Sequence, residues 1–77
     1  MKALIEYIAR SLVEHPEQVE VRTRRAGRRV VVELRVAKPD MGRVVGRHGR
    51  VANAMRALLR VAAERENKLA SLDIIEP

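Results

Sequence analysis

The sequence predicts an α+β domain of two layers, in which helices cover one face of a three-stranded sheet. Three observations lead to this class. Stretches with helical apolar spacing and stretches of apolar–polar alternation follow one another in the order α-β-β-α-α-β. A glycine-containing turn joins the first two alternating stretches, as in a β-hairpin. Two helices separate the second strand from the third, and such a crossover favours a parallel, right-handed pairing.

The N-terminal part is predicted to form a helix followed by the hairpin. Residues 2–14 carry apolar side chains at helical spacing, and Pro16 ends that pattern. The apolar face of this helix consists of Leu4, Ile5, Ile8 and Leu12. Residues 18–24 and residues 30–36 alternate as strands with one buried face do. Residues 25–28, Arg-Ala-Gly-Arg, provide the turn between these strands.

The C-terminal part is predicted to form a short helix, a long helix and a last strand. Asp40 is a residue type that caps helices, and it precedes a short helical segment at residues 41–45. The long helix covers about residues 50–66. Its expected core face is Val51, Met55, Leu58, Leu59 and Ala62. A further apolar strip beside that face consists of Ala54, Ala57 and Val61. Residues 69–75 alternate again and predict the third strand.

The length predicts a single domain over residues 1–77, with a β-α-α-β core at about residues 29–76 and an added helix and strand at residues 2–24. The chain contains no cysteine, phenylalanine or tryptophan. Its core is therefore aliphatic, and disulfides and cysteine-based zinc sites are excluded. The sequence shows neither an apolar run of membrane-spanning length nor a signal-peptide pattern. We therefore expect a cytoplasmic protein without a membrane partner.

The charge balance points towards nucleic acid. The net charge is +6, and thirteen of the sixteen basic residues are arginine, whose planar guanidinium matches phosphate oxygens. A small, strongly basic domain most often binds nucleic acid. The alternative is a basic surface that only maintains solubility. Four arginines lie close together at the predicted hairpin, where they are either solvated or available to bind an acidic partner: Arg24, Arg25, Arg28 and Arg29.

A glycine-rich segment is the strongest functional signal. Three of the four glycines lie within residues 42–50, and the turn Gly46-Arg47-His48-Gly49 directly precedes the long helix. Free N–H groups and the positive end of the helix dipole meet there, which suits a phosphate. The turn lacks the Lys-Ser/Thr pair of a Walker A loop and the first glycine of a dinucleotide fingerprint. The candidate contact residues are Arg43, Gly46, Arg47, His48, Gly49, Arg50 and Asn53.

A G-x-x-G turn between two helices of a β-α-α-β unit resembles that of KH domains. The residues that carry the resemblance are Val-Val-Gly-Arg-His-Gly-Arg-Val at residues 44–51. The helix and strand that precede this unit resemble the type II arrangement, and the whole chain is similar to the small stand-alone bacterial KH proteins of the KhpA family. The resemblance implies RNA binding without enzymatic activity, cofactor or small-molecule substrate. It also implies self-association or pairing with a second KH-containing protein.

Two functional hypotheses follow. In the first, the chain is a non-catalytic RNA-binding protein, such as an RNA chaperone, whose turn clamps the backbone of about four nucleotides of single-stranded RNA. In the second, it is a structural or assembly protein that acts mainly through homo- or heterodimerisation in a ribosome-linked or cell-envelope process. A nucleotide-processing enzyme is disfavoured, because the sequence has no Walker lysine, metal-ligand motif or spaced catalytic pair.

Overall fold

The computed structural model describes residues 1–76 and confirms the α+β class and the predicted order of elements. The helices and strands are α1 (Lys2–Leu12), β1 (Glu20–Ala26), β2 (Arg29–Arg35), α2 (Met41–Val45), α3 (Arg50–Arg65) and β3 (Leu69–Ile75). Short 3₁₀ turns precede β1 and α2, and another lies between α2 and α3. No helix within residues 1–76 has both the length and the apolar character that a membrane crossing requires.

The three strands form one sheet in the order β1-β2-β3. Strand β2 is central, pairing antiparallel with β1 and parallel with β3. The predicted parallel pairing across the two-helix crossover is therefore confirmed. Along β2 the inward side chains Val30, Val32 and Leu34 are buried, whereas the residues between them are more exposed. The helices cover this inward face, and the other face of the sheet carries mainly polar side chains.

The core is aliphatic, as the composition predicts. Its buried side chains come from all three helices and all three strands: Ile5, Ala9, Val19, Val21, Val30, Val32, Leu34, Val36, Val44, Met55, Leu59 and Leu72. The single aromatic residue, Tyr7, is 74% exposed on α1 and takes no part in this core.

Both strands of the hairpin are displaced from their predicted positions. Residue 18, where the first strand was predicted to begin, belongs to a 3₁₀ turn over residues 16–18, so β1 runs over Glu20–Ala26, two residues later than predicted. Strand β2 runs over Arg29–Arg35, one residue earlier than predicted. The connection between the strands is correspondingly tight, with only Gly27 and Arg28 in the turn. Gly27 has φ +61°, a conformation that glycine adopts with little strain and that two-residue hairpin turns require.

Two predicted core leucines lie outside the core. Leu12 is 39% exposed and Leu58 is 49% exposed. Alanines occupy part of the buried stripes instead, and the buried stripe of α3 consists of Ala52, Met55, Leu59 and Ala63. Small side chains allow a helix to approach the sheet closely, so the helix is rotated away from the orientation that apolarity alone predicts.

Asp40 is buried, with 1% of its surface exposed, and it connects two distant parts of the chain. It stands at the N-cap position of α2, but its side chain makes no capping hydrogen bond, contrary to the sequence-based interpretation. Its carboxylate oxygens instead accept hydrogen bonds from the backbone N–H groups of Glu14, at 3.1 Å, and His15, at 3.0 Å. The carboxylate thereby fastens the segment after α1 to the beginning of α2.

Replacement of Asp40 by alanine is expected to lower the free energy of unfolding by about 3 kcal/mol, because two backbone donors lose their acceptor. Asp40→Asn should have a smaller effect, since it keeps one acceptor oxygen and the side-chain volume. Asp73→Ala is the matched control, because Asp73 is exposed and should change stability by less than about 0.5 kcal/mol. Urea unfolding followed by circular dichroism measures all three. Equal stability of Asp40→Ala and Asp73→Ala would contradict the role of Asp40.

Candidate nucleic-acid interface

The turn between α2 and α3 has an unusual backbone conformation. Gly46 has φ +77°, His48 has φ +57° and Gly49 has φ +75°. Left-handed conformations disfavour residues with a Cβ atom by about 1–2 kcal/mol, so two of the three positions carry glycine. The turn is held by backbone hydrogen bonds from Gly46 N–H to the Gly42 carbonyl and from Gly49 N–H to the Gly46 carbonyl, at 2.9 and 3.1 Å.

The two glycines of the turn are required for different reasons. A Cβ atom on Gly46 would lie 2.5 Å from Val51 Cγ2 and 2.8 Å from the Val51 backbone nitrogen. A Cβ atom on Gly49 would meet only Asn53 Nδ2, at 3.8 Å. Gly46 therefore allows the backbone to pass directly over the first turn of α3, whereas Gly49 contributes its left-handed conformation alone.

Arg47, His48 and Arg50 form the exposed edge of this turn. Within residues 1–76 none of the three makes a side-chain hydrogen bond or an ion pair. Arg50 is the first residue of α3, where the helix dipole disfavours a cation. An anion bound at the same place would offset that unfavourable interaction, so the structure brings together three side chains suited to a phosphate.

Arg43 and Asn53 differ from the other candidates, because their side chains already have partners. The Arg43 guanidinium forms an ion pair with Glu14, and its Nε atom lies 3.7 Å from Asp40 Oδ1. Asn53 accepts a hydrogen bond from Arg56 Nη1 through its Oδ1 atom, at 3.2 Å. Arg43 thus holds α2 against the end of α1 in this structure and leaves the exposed edge of the turn to the other candidates.

A line of polar side chains extends from the turn along α3. We call Asn53, Arg56 and Arg60 the α3 track, since their spacing of three and four residues places them on one side of the helix. Arg56 Nη2 donates to the Leu72 carbonyl at 3.4 Å, so this side lies next to β3. The sequence alone favours a solvated face for Arg56 and Arg60, and only their helical spacing from Asn53 indicates the track.

The outer surface of α3 is apolar. The predicted strip is exposed along its length, with Val61 at 53%, and the misplaced Leu58 adds to it. We call this surface the α3 strip, which consists of Ala54, Ala57, Leu58 and Val61. It faces away from the buried stripe of the same helix, so its exposure is not a result of incomplete packing against the sheet.

The part of the chain that the structure describes contains no group of three or more His, Cys, Asp or Glu side chains placed to hold a metal ion. The side chains around the turn are cationic or neutral, apart from Glu14 and Asp40, which pair with Arg43. The arrangement is therefore suited to holding an anionic polymer by charge and backbone N–H groups.

Comparison with known proteins gives one consistent result. The sequence model of the KhpA/KhpB KH-domain family matches residues 2–74. The chain is 44% identical to the RNA-binding protein KhpA of Clostridium acetobutylicum, over 97% of this chain and 100% of that protein. It is 42% identical to the RNA-binding protein KhpA of Halalkalibacterium halodurans, over 99% of this chain and 100% of that protein. It is 41% identical to the RNA-binding protein KhpA of Chlamydia pneumoniae, over 99% of this chain and 97% of that protein.

The geometry of the turn predicts unequal effects of two glycine substitutions. Gly46→Ala should lower the free energy of unfolding by about 3 kcal/mol, because the new methyl group collides with Val51 at a strained backbone position. Gly49→Ala should lower it by only about 1 kcal/mol, the cost of the left-handed conformation. Thermal and urea unfolding of the two variants make the comparison. If Gly49→Ala were as unstable as Gly46→Ala, the close approach of residue 46 to Val51 would not be the reason that position 46 requires glycine.

Proposed function

Because this chain belongs to the KhpA/KhpB family of KH domains, we propose that it is a non-catalytic protein that binds single-stranded RNA at the Gly46–Gly49 turn. The relatives that support this proposal are themselves named RNA-binding proteins. The observation that carries it is the set of exposed side chains without partners in residues 1–76, Arg47, His48 and Arg50, on a turn with positive φ angles. In this proposal residues 1–77 form one KH domain, with the β-α-α-β core at about residues 29–76.

The turn would clamp the RNA backbone, as KH domains do over about four nucleotides. Glycine lets a sugar–phosphate backbone approach closely, and the N–H groups at the beginning of α3 favour a phosphate. Arg47 and Arg50 would neutralise phosphates, and His48 would donate to a phosphate or a sugar oxygen. Arg43 would contact RNA only by exchanging its Glu14 partner for a phosphate.

Base recognition would be modest. The single aromatic residue, Tyr7, lies on α1, so an aromatic stacking platform of the RRM kind is not available. Bases would instead meet aliphatic side chains and the α3 track, in which Asn53 offers an amide. Low base selectivity is what an RNA chaperone requires, and this proposal includes that role.

A double variant tests the turn. Arg47→Asp/His48→Asp should weaken binding of single-stranded RNA by at least about tenfold, because two charged contacts are lost and two carboxylates repel the phosphates. Both positions are exposed, and aspartate tolerates the left-handed conformation of residue 48, so stability should change by less than about 0.5 kcal/mol. Fluorescence anisotropy at fixed salt measures binding of a single-stranded RNA and of a DNA duplex, and the wild type should prefer the RNA.

The control for this experiment is Arg10→Asp/Gln18→Asp, which changes the net charge equally at two exposed positions away from the turn. A folded Arg47→Asp/His48→Asp protein that binds RNA as tightly as this control would falsify the assignment of the site. Equal wild-type affinity for the RNA and the DNA duplex would indicate unspecific attraction of a basic surface.

Assembly is the second proposal, and the exposed α3 strip is the observation that favours it. An apolar surface that does not pack against its own sheet is suited to a second subunit, either a copy of this chain or a second KH-containing protein. The two proposals are compatible, because a dimer would bring two turns to one RNA and raise their effective concentration. If assembly were the only function of the chain, the basic turn would have no function.

The chain should form a dimer at micromolar concentration, and Val61→Glu should dissociate it. Val61 is 53% exposed, so a glutamate there should leave the fold intact while placing a charge in an apolar contact. Ser11→Glu on the exposed face of α1 adds the same charge elsewhere and is the control. Sedimentation equilibrium measures the mass. A wild type that stays at 8.7 kDa over the whole concentration range would remove this proposal.

A further inference from the structure

The arginine-rich turn of the hairpin lies at the opposite end of α3 from the glycine turn. We call Arg24, Arg25, Arg28 and Arg29 the hairpin end. Leu69 N–H donates to the Arg28 carbonyl at 2.9 Å, so the hairpin end adjoins the connection from α3 to β3. The glycine turn lies at the beginning of the same helix, which has sixteen residues. At 1.5 Å per residue, about 22 Å separates the two ends.

The fold accounts for only two of these four arginines. Arg24 lies 3.3 Å from Glu33, and Arg28 donates to the carbonyl and Oδ1 of Asn67 at 3.3 and 3.1 Å. The side chains of Arg25 and Arg29 are exposed, and within residues 1–76 they make neither a hydrogen bond nor an ion pair. A tight hairpin turn needs Gly27 but has no need of two further cations, which repel their neighbours.

Positive charge exceeds negative charge around the hairpin end. Six basic residues are present there, namely Arg24, Arg25, Arg28, Arg29, Arg65 and Lys68, against the three acidic residues Glu33, Glu64 and Glu66. One of the acidic side chains, Glu66, is 3.7 Å from Lys68 and is neutralised locally. The excess of three charges, six minus three, attracts a polyanion and persists at neutral pH because it rests mainly on arginine.

The α3 track joins the two basic ends. Arg56 lies nearly two helical turns beyond the glycine turn, and Arg60 lies about one turn further, towards the hairpin end. Arg47 and Arg50 begin this line, and Arg28 lies at its other end beside Asn67. At the hairpin end, Arg25 shares the helix-covered face with Val30, whereas Arg24 and Arg29 lie on the other face of the sheet. A single strand that leaves the glycine turn along α3 therefore meets the arginines of α3 first and Arg25 next, and it reaches Arg29 by passing around the end of the sheet.

We propose that the hairpin end binds the phosphate backbone of the RNA strand held at the glycine turn, at nucleotides beyond those in the clamp. This inference rests on the proposed function, since it needs a strand at the turn. At the duplex spacing of about 3.4 Å per phosphate, 22 Å corresponds to about six further nucleotides. A strand of four nucleotides held at the turn ends before the hairpin, and a strand of twelve nucleotides covers both.

The test compares a uridine tetramer with a uridine dodecamer. The variant Arg25→Ala/Arg29→Ala removes the two arginines of the hairpin end whose side chains make no hydrogen bond or ion pair within residues 1–76. The fold should therefore be unaffected. The control Arg10→Ala/Arg22→Ala removes two exposed arginines elsewhere, which pair with Glu6 and Glu20, and reduces the net charge equally. Anisotropy titrations give each affinity at 50 and 200 mM salt. The same comparison in a Val61→Glu chain excludes bridging of two subunits by the longer strand.

Only the dodecamer should respond to the hairpin variant. Two phosphate contacts on a single strand change the slope of log K against log salt by about 1.4. The ratio of the wild-type affinity to the variant affinity for the dodecamer should therefore fall about sevenfold between 50 and 200 mM salt. Tetramer affinity should be the same in the hairpin variant and in the control.

Three outcomes overturn the inference, and each has a distinct cause. Equal dodecamer affinity in the hairpin variant and in the control would mean that the hairpin arginines serve only solubility. Dodecamer binding that needs the hairpin but is unaffected by Arg47→Asp/His48→Asp would mean that the hairpin acts on a separate strand. A wild type that binds neither oligonucleotide more tightly than a DNA duplex would overturn the proposed function itself.

Discussion

The parallel pairing of β2 with β3 determines where everything else in the molecule lies. Parallel neighbours require the chain to return along the full length of the sheet, since Arg29 and Leu69 stand side by side. The sixteen residues of α3 make that return, and α2 turns the chain at the far end of β2. The turn between the helices is therefore fixed at one end of the molecule. The hairpin and the beginning of β3 are fixed at the other.

A short helix such as α2, with five residues, cannot hold its own position by helix propensity. It is anchored at both ends. At its beginning Asp40 binds the backbone after α1, and in its middle Val44 is completely buried. At its end Gly46 packs directly against Val51. These contacts restrict the conformations that the turn with its three positive φ angles can adopt, and such restriction reduces the entropy lost on binding a ligand.

Local signals in the sequence were sufficient for most of the fold. The boundaries of α2 and β3 agree with the prediction, and α3 ends one residue before the predicted end, because glycine, proline and periodicity act over a few residues. Contacts between distant residues were not predictable in this way. Asp40 meets Glu14 and His15, and Arg43 meets Glu14 from 29 positions away. The rotation of α3 that exposes Leu58 depends on packing against the sheet, which periodicity does not specify.

The arginines of this chain divide into two groups with different physical roles. One group makes side-chain contacts within the fold to a carboxylate, a carbonyl or an amide: Arg10, Arg22, Arg24, Arg28, Arg43 and Arg56. The other group has no such partner within residues 1–76: Arg25, Arg29, Arg35, Arg47, Arg50, Arg60 and Arg65. Four of these seven, Arg25, Arg29, Arg47 and Arg50, flank the two turns at opposite ends of α3. Since a folded chain gains nothing from like charges gathered at a turn, we propose that these four arginines serve a ligand that carries the opposite charge at regular intervals.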